Sequence, residues 1–285
     1  MTSRRALTAI VQVGLLLVTA GCTTDTAGSP PGQTNPLPSP ETLVPSPAAT
    51  AAASTALPTG AATVELDPAD FSATVTNPYW PLEPRTRWTY REVINDGTIS
   101  ETVVVATTTT RKIANGITAQ VVRDTVREGG EIIEDTFDWY AQDRAGNVWY
   151  LGEDTAEFSD GEITSREGSF EAGVDGAQAG VIMPAHPRPG MRYRQEYYKG
   201  RAEDNGEVLS VAELVDTPAG RYRNALLTKD TSTIEPTVAE HKFYAPGVGL
   251  VLTLQISGGA GRDGLIKVDR AGPNDGTGPL GHPNG

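Results

Sequence analysis

The sequence of 285 residues is poor in the residues on which most metal and enzymatic chemistry depends. It holds one cysteine and three histidines. A single cysteine excludes an internal disulfide and a cysteine-ligated zinc site. The sequence also lacks a Gly-x-Ser-x-Gly nucleophile elbow, a His-Glu-x-x-His zinc motif and a P-loop. Common hydrolases and nucleotide-binding proteins are therefore not indicated.

Helical periodicity and membrane-spanning runs are also missing. The uncharged apolar stretch over residues 6–20 is shorter than the roughly 20 residues that cross a bilayer as a helix. No segment of any length repeats apolar residues at the spacing of an amphipathic helix. Segments rich in Val and Thr, separated by Gly-containing turns, are present instead and are typical of β structure.

The N-terminus has the features of a secretory signal, namely Arg4-Arg5, the apolar run, a small pair and then Cys22. This segment resembles the lipobox of bacterial lipoproteins. The resemblance implies that residues 1–21 are removed and that Cys22 carries lipid, such as palmitate. An ordinary signal peptide is the alternative. We therefore expect an extracytoplasmic protein anchored to the membrane through Cys22. We favour the general secretory route, and Arg4-Arg5 leaves the twin-arginine route open.

Residues 22–62 form a tether rich in Pro, Ala, Thr and Ser, which cannot bury enough apolar surface to fold. We predict a disordered spacer between the membrane and the domain. The net charge of −13 rests on the rest of the chain, because the two arginines of the signal balance Asp25 and Glu41 of the tether. So acidic a domain repels nucleic acid, which we exclude as a partner.

Residues 63–269 predict a single all-β domain. Short strands and turns such as Asn95-Asp96-Gly97 favour an antiparallel meander, either flattened or wound into an unclosed β-barrel. Residues 173–189 interrupt the pattern and are predicted as a long, functional loop. The Gly/Pro-rich residues 270–285 are predicted as a disordered tail.

Several motifs resemble a group of uncharacterised exported bacterial proteins. They are Asn77-Pro-Tyr-Trp-Pro-Leu82, Asp138-Trp-Tyr-Ala-Gln-Asp143 and Tyr244-Ala-Pro-Gly-Val-Gly-Leu250. Arg85 departs from that pattern, which has glycine at this turn. The resemblance implies a β-rich exported domain and no particular activity. The predicted meander also loosely resembles the unclosed barrels of lipoprotein carriers of the LolA/LolB type, and a shared fold does not determine function.

The predicted strand over residues 131–142 carries the clearest alternation. Its apolar residues fall on one face, and Glu134, Asp138 and Tyr140 on the other. Acidic residues cluster around this hairpin: Glu134, Asp135, Asp138, Asp143, Glu153 and Asp154. A carboxylate pair can hydrolyse a glycosidic bond, and carboxylates can hold calcium. We interpret the cluster as turn residues and a solvated acidic face, and we assign no catalytic, metal or cofactor residue.

Aromatic residues indicate a binding surface. Neighbours on a strand point to opposite faces, so one member of each pair, Trp139-Tyr140 and Trp149-Tyr150, can fill the core while the other faces water or a cavity. His241 is expected to be an ordinary strand residue, whereas His186 lies in the predicted loop. The candidate ligand site comprises Tyr140, Trp149, Tyr150, Met183, His186 and Tyr198.

Three functions remain open. We favour a non-enzymatic lipoprotein that binds an apolar or amphipathic ligand of the cell envelope in a cavity of the sheet. The second is a module that presents an acidic face to a protein partner in the envelope. The third, and least favoured, is a carboxylate-dependent hydrolase of a cell-wall polymer.

Overall fold

A computed structural model of the protein describes residues 56–94 and 97–283, without the side chain of Ile94. The signal, Cys22 and the tether up to residue 55 therefore lie outside the described residues, as do Asn95 and Asp96 of a predicted turn. In the described part of the chain no helix is long and apolar enough to cross a membrane. The helix found there is a single 3₁₀ turn, Pro68–Asp70.

Sixteen strands form one antiparallel sheet, which confirms the predicted all-β fold. The strands are β1 (Phe71–Ser72), β2 (Thr86–Ile94), β3 (Ile99–Lys112), β4 (Thr118–Glu128), β5 (Glu131–Asp143), β6 (Val148–Ser159), β7 (Glu162–Ser165), β8 (Phe170–Glu171), β9 (Gln178–Met183), β10 (Arg192–Arg194), β11 (Glu196–Tyr197), β12 (Asp204–Thr217), β13 (Gly220–Ser232), β14 (Ala239–Ala245), β15 (Gly249–Ser257) and β16 (Gly261–Arg270).

The sheet winds into a nearly closed barrel. Its order is β10-β12-β13-β14-β15-β16-β2-β3-β4-β5-β6-β9-β11, so the pairing of β16 with β2 joins the two halves of the chain. β10 and β11 are consecutive in the chain but pair at opposite ends of this order, with β12 and β9 respectively. One unsealed seam remains at these two short strands.

The seam depends on a close backbone approach at Gly180. A Cβ atom at this position of β9 would lie 2.3 Å from the carbonyl carbon of Gln195, which links β10 to β11. Only glycine leaves room for main chain at that distance. The prediction that residues 173–189 form a long loop is wrong for Gln178–Met183, which form β9. Gln178–Met183 instead pairs with β6, and Val181 and Met183 are fully buried.

The C-terminal segment over residues 271–283 lies within the range predicted as a tail, and it makes hydrogen bonds to β4 and β5. Arg123 on the outer face of β4 donates hydrogen bonds to the carbonyl oxygens of Gly278 (2.7 Å) and Pro279 (3.0 Å). The amide of Gly281 donates to Asp135 Oδ2 at 2.7 Å. Gly and Pro here supply backbone carbonyls and turns that cover an ion pair rather than a flexible end.

The domain also begins earlier than residue 63. Leu57 and the residues after it belong to the same compact unit as the barrel. The amide of Arg194 donates to Pro58 O at 2.7 Å, and its guanidinium donates to the carbonyl oxygens of Gly60 and Ala62. A buried arginine thus fixes the last residues of the predicted tether, which composition alone did not reveal.

Arg85 adopts the backbone conformation expected of the glycine that it replaces in the resembled pattern. Its φ of 74° lies in the left-handed region, which disfavours residues with a Cβ atom. The main chain is held there by hydrogen bonds from Arg85 N to Ala106 O and from Ala271 N to Arg85 O, and its Nε donates to Ala271 O at 2.9 Å. Arg85 thus occupies this turn although it carries a Cβ atom.

The ion pair beneath the C-terminal segment generates a stability prediction. Arg123 and Asp135 are at most 1% exposed, and Asp135 also accepts from Thr125. Replacing Asp135 by Ala leaves a buried guanidinium without its counter-charge, so we expect a loss of about 3–5 kcal/mol in the free energy of unfolding. Denaturant unfolding of the full chain measures this loss.

Asp216→Ala is the matched control, because Asp216 pairs with Arg221 on the surface. Surface pairs contribute little to stability, so this variant should unfold at the midpoint of the unmodified protein. Equal midpoints for Asp135→Ala and the unmodified protein would show that the segment over 271–283 does not bury the pair in solution.

Candidate functional site

A cavity of about 120 Å³ lies inside the barrel, between strands β2–β5 on one side and β14–β16 on the other. Residues 80–82, which precede β2, line it as well. Its volume is below the ~300 Å³ at the lower end of drug-sized ligand pockets, but it exceeds the roughly 15 Å³ that one water needs. The cavity can hold a small organic group or several waters.

One wall of the cavity is aromatic. Trp88 and Tyr90 lie on one face of β2, and both donate hydrogen bonds near the start of β15: Trp88 Nε1 to Val248 O at 2.7 Å, and Tyr90 OH to Leu250 O at 3.0 Å. Trp80 and Tyr140 face each other with ring centroids 5.4 Å apart. Trp80 Nε1 and the hydroxyl of Tyr140 are buried and have no hydrogen-bond partner among the described residues.

Five strands each contribute one carboxyl side chain to the lining, and these carboxyl groups form an acidic wall. These are Glu92 on β2, Asp124 on β4, Glu134 on β5, Glu240 on β14 and Asp263 on β16. None of the lining residues is basic. Asp124 Oδ1, Glu134 Oε2 and Asp263 Oδ1 are buried without a hydrogen-bond partner in the described structure. Such groups are rare in native proteins because each forfeits its hydration.

Lys242 is the cation nearest to this wall. It is buried on β14 with its Nζ 3.4 Å from both Asp230 Oδ2 and Glu240 Oε2. The coulombic attraction of these carboxylates raises its pKa against the opposing effect of burial. One ammonium group is therefore shared between carboxylates on β13 and β14, and its charge also lowers the pKa of Asp263 on β16.

Burial raises the pKa of Asp124, Glu134, Glu240 and Asp263 in the cavity. Desolvation is the largest cause for each, and it raises the pKa of Asp124 and Glu134 well above the usual range, with repulsion from neighbouring carboxylates adding to it. The pKa of Glu240 and that of Asp263 are raised to about 7. The cavity therefore holds protonated, neutral carboxyl groups at mildly acidic pH.

A second layer of carboxyls lies beside the cavity. The hydroxyl of Tyr150 is 2.7 Å from Asp138 Oδ1 and 2.8 Å from Glu153 Oε2. A hydroxyl has one hydrogen to donate, so one of the two carboxyl groups must carry a proton and donate to the tyrosine oxygen. Burial accordingly raises the pKa of Asp138 to about 7 and that of Glu153 further above its usual range. Glu196 and Asp204 likewise hydrogen-bond to each other near the seam.

The structure places few of the sequence-predicted ligand residues at this cavity. Tyr140 lines it, and Tyr150 stacks on Tyr140 with centroids 5.0 Å apart. Trp149 lies on the outer face and donates to Asp143 Oδ2, and Met183 is buried on β9. His186 is exposed, and Tyr198 is half-buried at the turn that follows β11.

The interpretation of the acidic cluster as a solvated face is wrong for four of its six members. Glu134, Asp135, Asp138 and Glu153 are at most 3% exposed. Asp143 closes the turn before β6 by accepting from the amide of Asn147, and Asp154 pairs with Arg166 at the surface. The predicted alternation along β5 is present, but its acidic face turns inward.

Sequence reasoning missed Trp80, Trp88, Asp124 and Asp263 as cavity residues. A signal existed for two strands. In Trp88-x-Tyr90-x-Glu92 an acid shares its strand face with two aromatic residues, and in Val122-x-Asp124-x-Val126 an acid lies between valines on one face. An acid on an apolar strand face indicates a buried polar site. No comparable signal separates Asp263 from a surface residue.

No three His, Cys, Asp or Glu side chains over residues 56–94 and 97–283 are placed to hold a metal ion. His241 is half-buried on β14. Desolvation lowers its pKa most, and repulsion from the charge of Lys229 lowers it further.

Comparisons with known proteins leave the function open. No protein-family model and no curated protein matches the chain. Two solved structures are similar over about two thirds of the chain. The first is a protein from Bacteroides fragilis that has a YmcC-like fold and is inferred to be exported. Its sequence identity is 15% and its TM-score 0.41, and the match covers 68% of this chain and 100% of that one.

The second similar structure is a protein from Parabacteroides distasonis inferred to be a lipoprotein. It is 12% identical with a TM-score of 0.35, and the match covers 67% of this chain and 98% of the other.

The raised pKa values predict how stability depends on pH. Between the ordinary carboxyl pKa near 4 and the value of about 7 for Asp138, Glu240 and Asp263, the folded protein binds more protons than the unfolded chain. The free energy of unfolding therefore falls as pH rises through this window. We expect the Tm of the full chain to decrease from about pH 5 to about pH 8.

Thermal unfolding followed by circular dichroism at constant ionic strength measures the slope. Asp263→Asn should make the slope shallower, whereas Asp269→Asn should not, because hydrogen bonds from Arg87 and Lys267 lower the pKa of Asp269 to about 2, outside the window. A Tm that increases between these pH values would contradict the protonated interior.

Proposed function

We propose that the protein is a lipoprotein anchored outside the cytoplasm that binds a small amphipathic molecule of the cell envelope inside its barrel. The single observation that supports this most strongly is the cavity, in which buried donors and acceptors without partners in the described structure line a space that also has aromatic and aliphatic walls. A ligand with an apolar body and a polar group satisfies both. The lipobox, Cys22 and the tether supply the anchoring half of the proposal.

The cavity favours this function over the hydrolase considered from the sequence. The acidic residues available to a carboxylate pair are divided between the faces of the sheet. Asp138 and Glu153 are bound to Tyr150 in the interior, whereas Asp154 is paired with Arg166 outside. A polymer chain needs carboxyls on both sides of an accessible bond, and these buried groups are committed to one tyrosine hydroxyl.

Anchoring is tested by replacing Cys22 with Ser in the full chain. Without lipid on this residue the protein should move from the membrane to the soluble fraction, because the acyl chains supply the apolar area that holds it in the bilayer. Fractionation with an antibody measures the distribution, and Thr23→Ser is the control that should remain in the membrane. Equal membrane retention of Cys22→Ser would contradict lipidation at this position.

Ligand binding is tested by native mass spectrometry of the full chain, extracted from its own host in mild detergent. We expect a reproducible additional mass that denaturation releases. Val104 lines the cavity, whereas Val103 is its neighbour on the outer face of β3. Val104→Phe fills part of the cavity and should abolish the additional mass, while Val103→Phe should retain it.

A melting curve for each variant establishes that it is folded. If the folded, unmodified protein carries no additional mass in repeated preparations, or if Val104→Phe retains it, the cavity is not the binding site.

A further inference from the structure

The acidic wall of the cavity indicates the chemical class of its ligand. Asp124 is 6% exposed and Glu134 is 2% exposed, and each has one carboxyl oxygen without a hydrogen-bond partner in the described structure. Both residues occur on strands whose alternate residues also line the cavity, Val122 and Val126 on β4 and Tyr140 on β5. Strand alternation therefore directs the two carboxyl groups inward.

The aromatic wall adds an independent indication. Trp80, Trp88, Tyr90 and Tyr140 surround one end of the same cavity. Faces of aromatic rings carry partial negative charge and attract cations, most strongly when water is excluded. The two walls therefore favour the same charge on a ligand, since carboxylates attract a cation directly and ring faces attract it through the quadrupole.

We propose that the ligand is a small organic cation, an amine or ammonium compound with an apolar body, whose charged group lies among Asp124, Glu134 and Asp263 and whose body contacts Trp80 and Tyr140. This inference rests on the proposed function and specifies the ligand of the same cavity. It explains why five strands deliver acids to a space that no basic residue lines. The nearest cation of the protein, Lys242, is held by Asp230 and Glu240.

Because carboxyl groups of the acidic wall are protonated in the free protein, binding of a cation should release protons. A cation replaces protons on the acidic wall, so each cation that enters is accompanied by release of about one proton from a carboxyl group. The carboxyl groups that face the site are Glu92 from β2, Asp124 from β4, Glu134 from β5, Glu240 from β14 and Asp263 from β16. Lys242 of β14 contacts Glu240, and β3 and β15 contribute uncharged residues. Affinity for the cation should increase as pH rises from about 6 to about 8.

The test uses two probes that differ in one group, phenethylamine and 2-phenylethanol. Calorimetric titration of the full chain in mild detergent should show that the amine binds tighter by roughly tenfold or more, because an ionised donor forms stronger hydrogen bonds to a carboxylate than a hydroxyl does. Repeating the titration in two buffers of different ionisation enthalpy measures the released proton.

Isosteric variants assign the effect to the acidic wall. Asp124→Asn and Glu134→Gln should each weaken the amine by roughly tenfold and leave 2-phenylethanol unchanged. Glu131→Gln is the matched control, since Glu131 is exposed at the start of β5. A melting curve for each variant establishes that it is folded.

The outcomes separate this inference from the proposed function. Equal binding of both probes, or an amine affinity that the two variants leave unchanged, overturns the cation and leaves a ligand-binding cavity. If neither probe binds, the molecule released in native mass spectrometry decides: a basic amine supports the inference, and a neutral or anionic molecule overturns it. Absence of both probe binding and released mass overturns the proposed function as well.

Discussion

The burial of negative charge inside the barrel is the constraint on which the rest of the structure depends. Carboxyl groups from β2, β4, β5, β6, β11, β12, β13 and β14 are buried, and Lys242 contacts two of them, Asp230 and Glu240. An uncompensated buried ion costs several kcal/mol, and a domain is stable by only about 5–15 kcal/mol in total. The interior must therefore hold protons, share hydrogen bonds or receive a cation.

Two buried arginines, in contrast, are enclosed by chain segments at the ends of the domain. Arg123 pairs with Asp135 beneath residues 276–281, and Arg194 is enclosed by carbonyl oxygens of the residues before β1. Both arginines are covered by chain segments without regular structure, which supply the acceptors that a guanidinium needs. Arg123 and Arg194 thus find hydrogen-bond partners in these segments, whereas Asp124, Glu134 and Asp263 each keep a carboxyl oxygen without a partner in the described structure. These hydrogen bonds fix the chain segments at both ends of the domain.

Much of the architecture could be predicted from the sequence, because strand alternation and turn residues are local signals. The strand over 131–142 was expected and is β5, and the turn at Asp143 closes as its side chain predicts. The direction of its acidic face could not be predicted, since an alternating strand does not show which face is enclosed when a sheet closes on itself. Tyr140 could be predicted as a cavity residue because its neighbour Trp139 points to the opposite face of the strand. Asp263 could not, because it reaches the cavity only through the pairing of β16 with β2.

Lipidation at Cys22 and the ligand remain proposals, but the protonation state of the interior can be measured directly in the free protein. Refolding of the full chain from denaturant at about pH 6 in a weakly buffered solution reports the protons that folding takes up. We predict a net uptake of several protons per molecule, because burial raises the pKa of Asp138, Glu240 and Asp263 to about 7, whereas carboxyl groups of the unfolded chain have pKa values near 4. No uptake, or a release of protons, would contradict it.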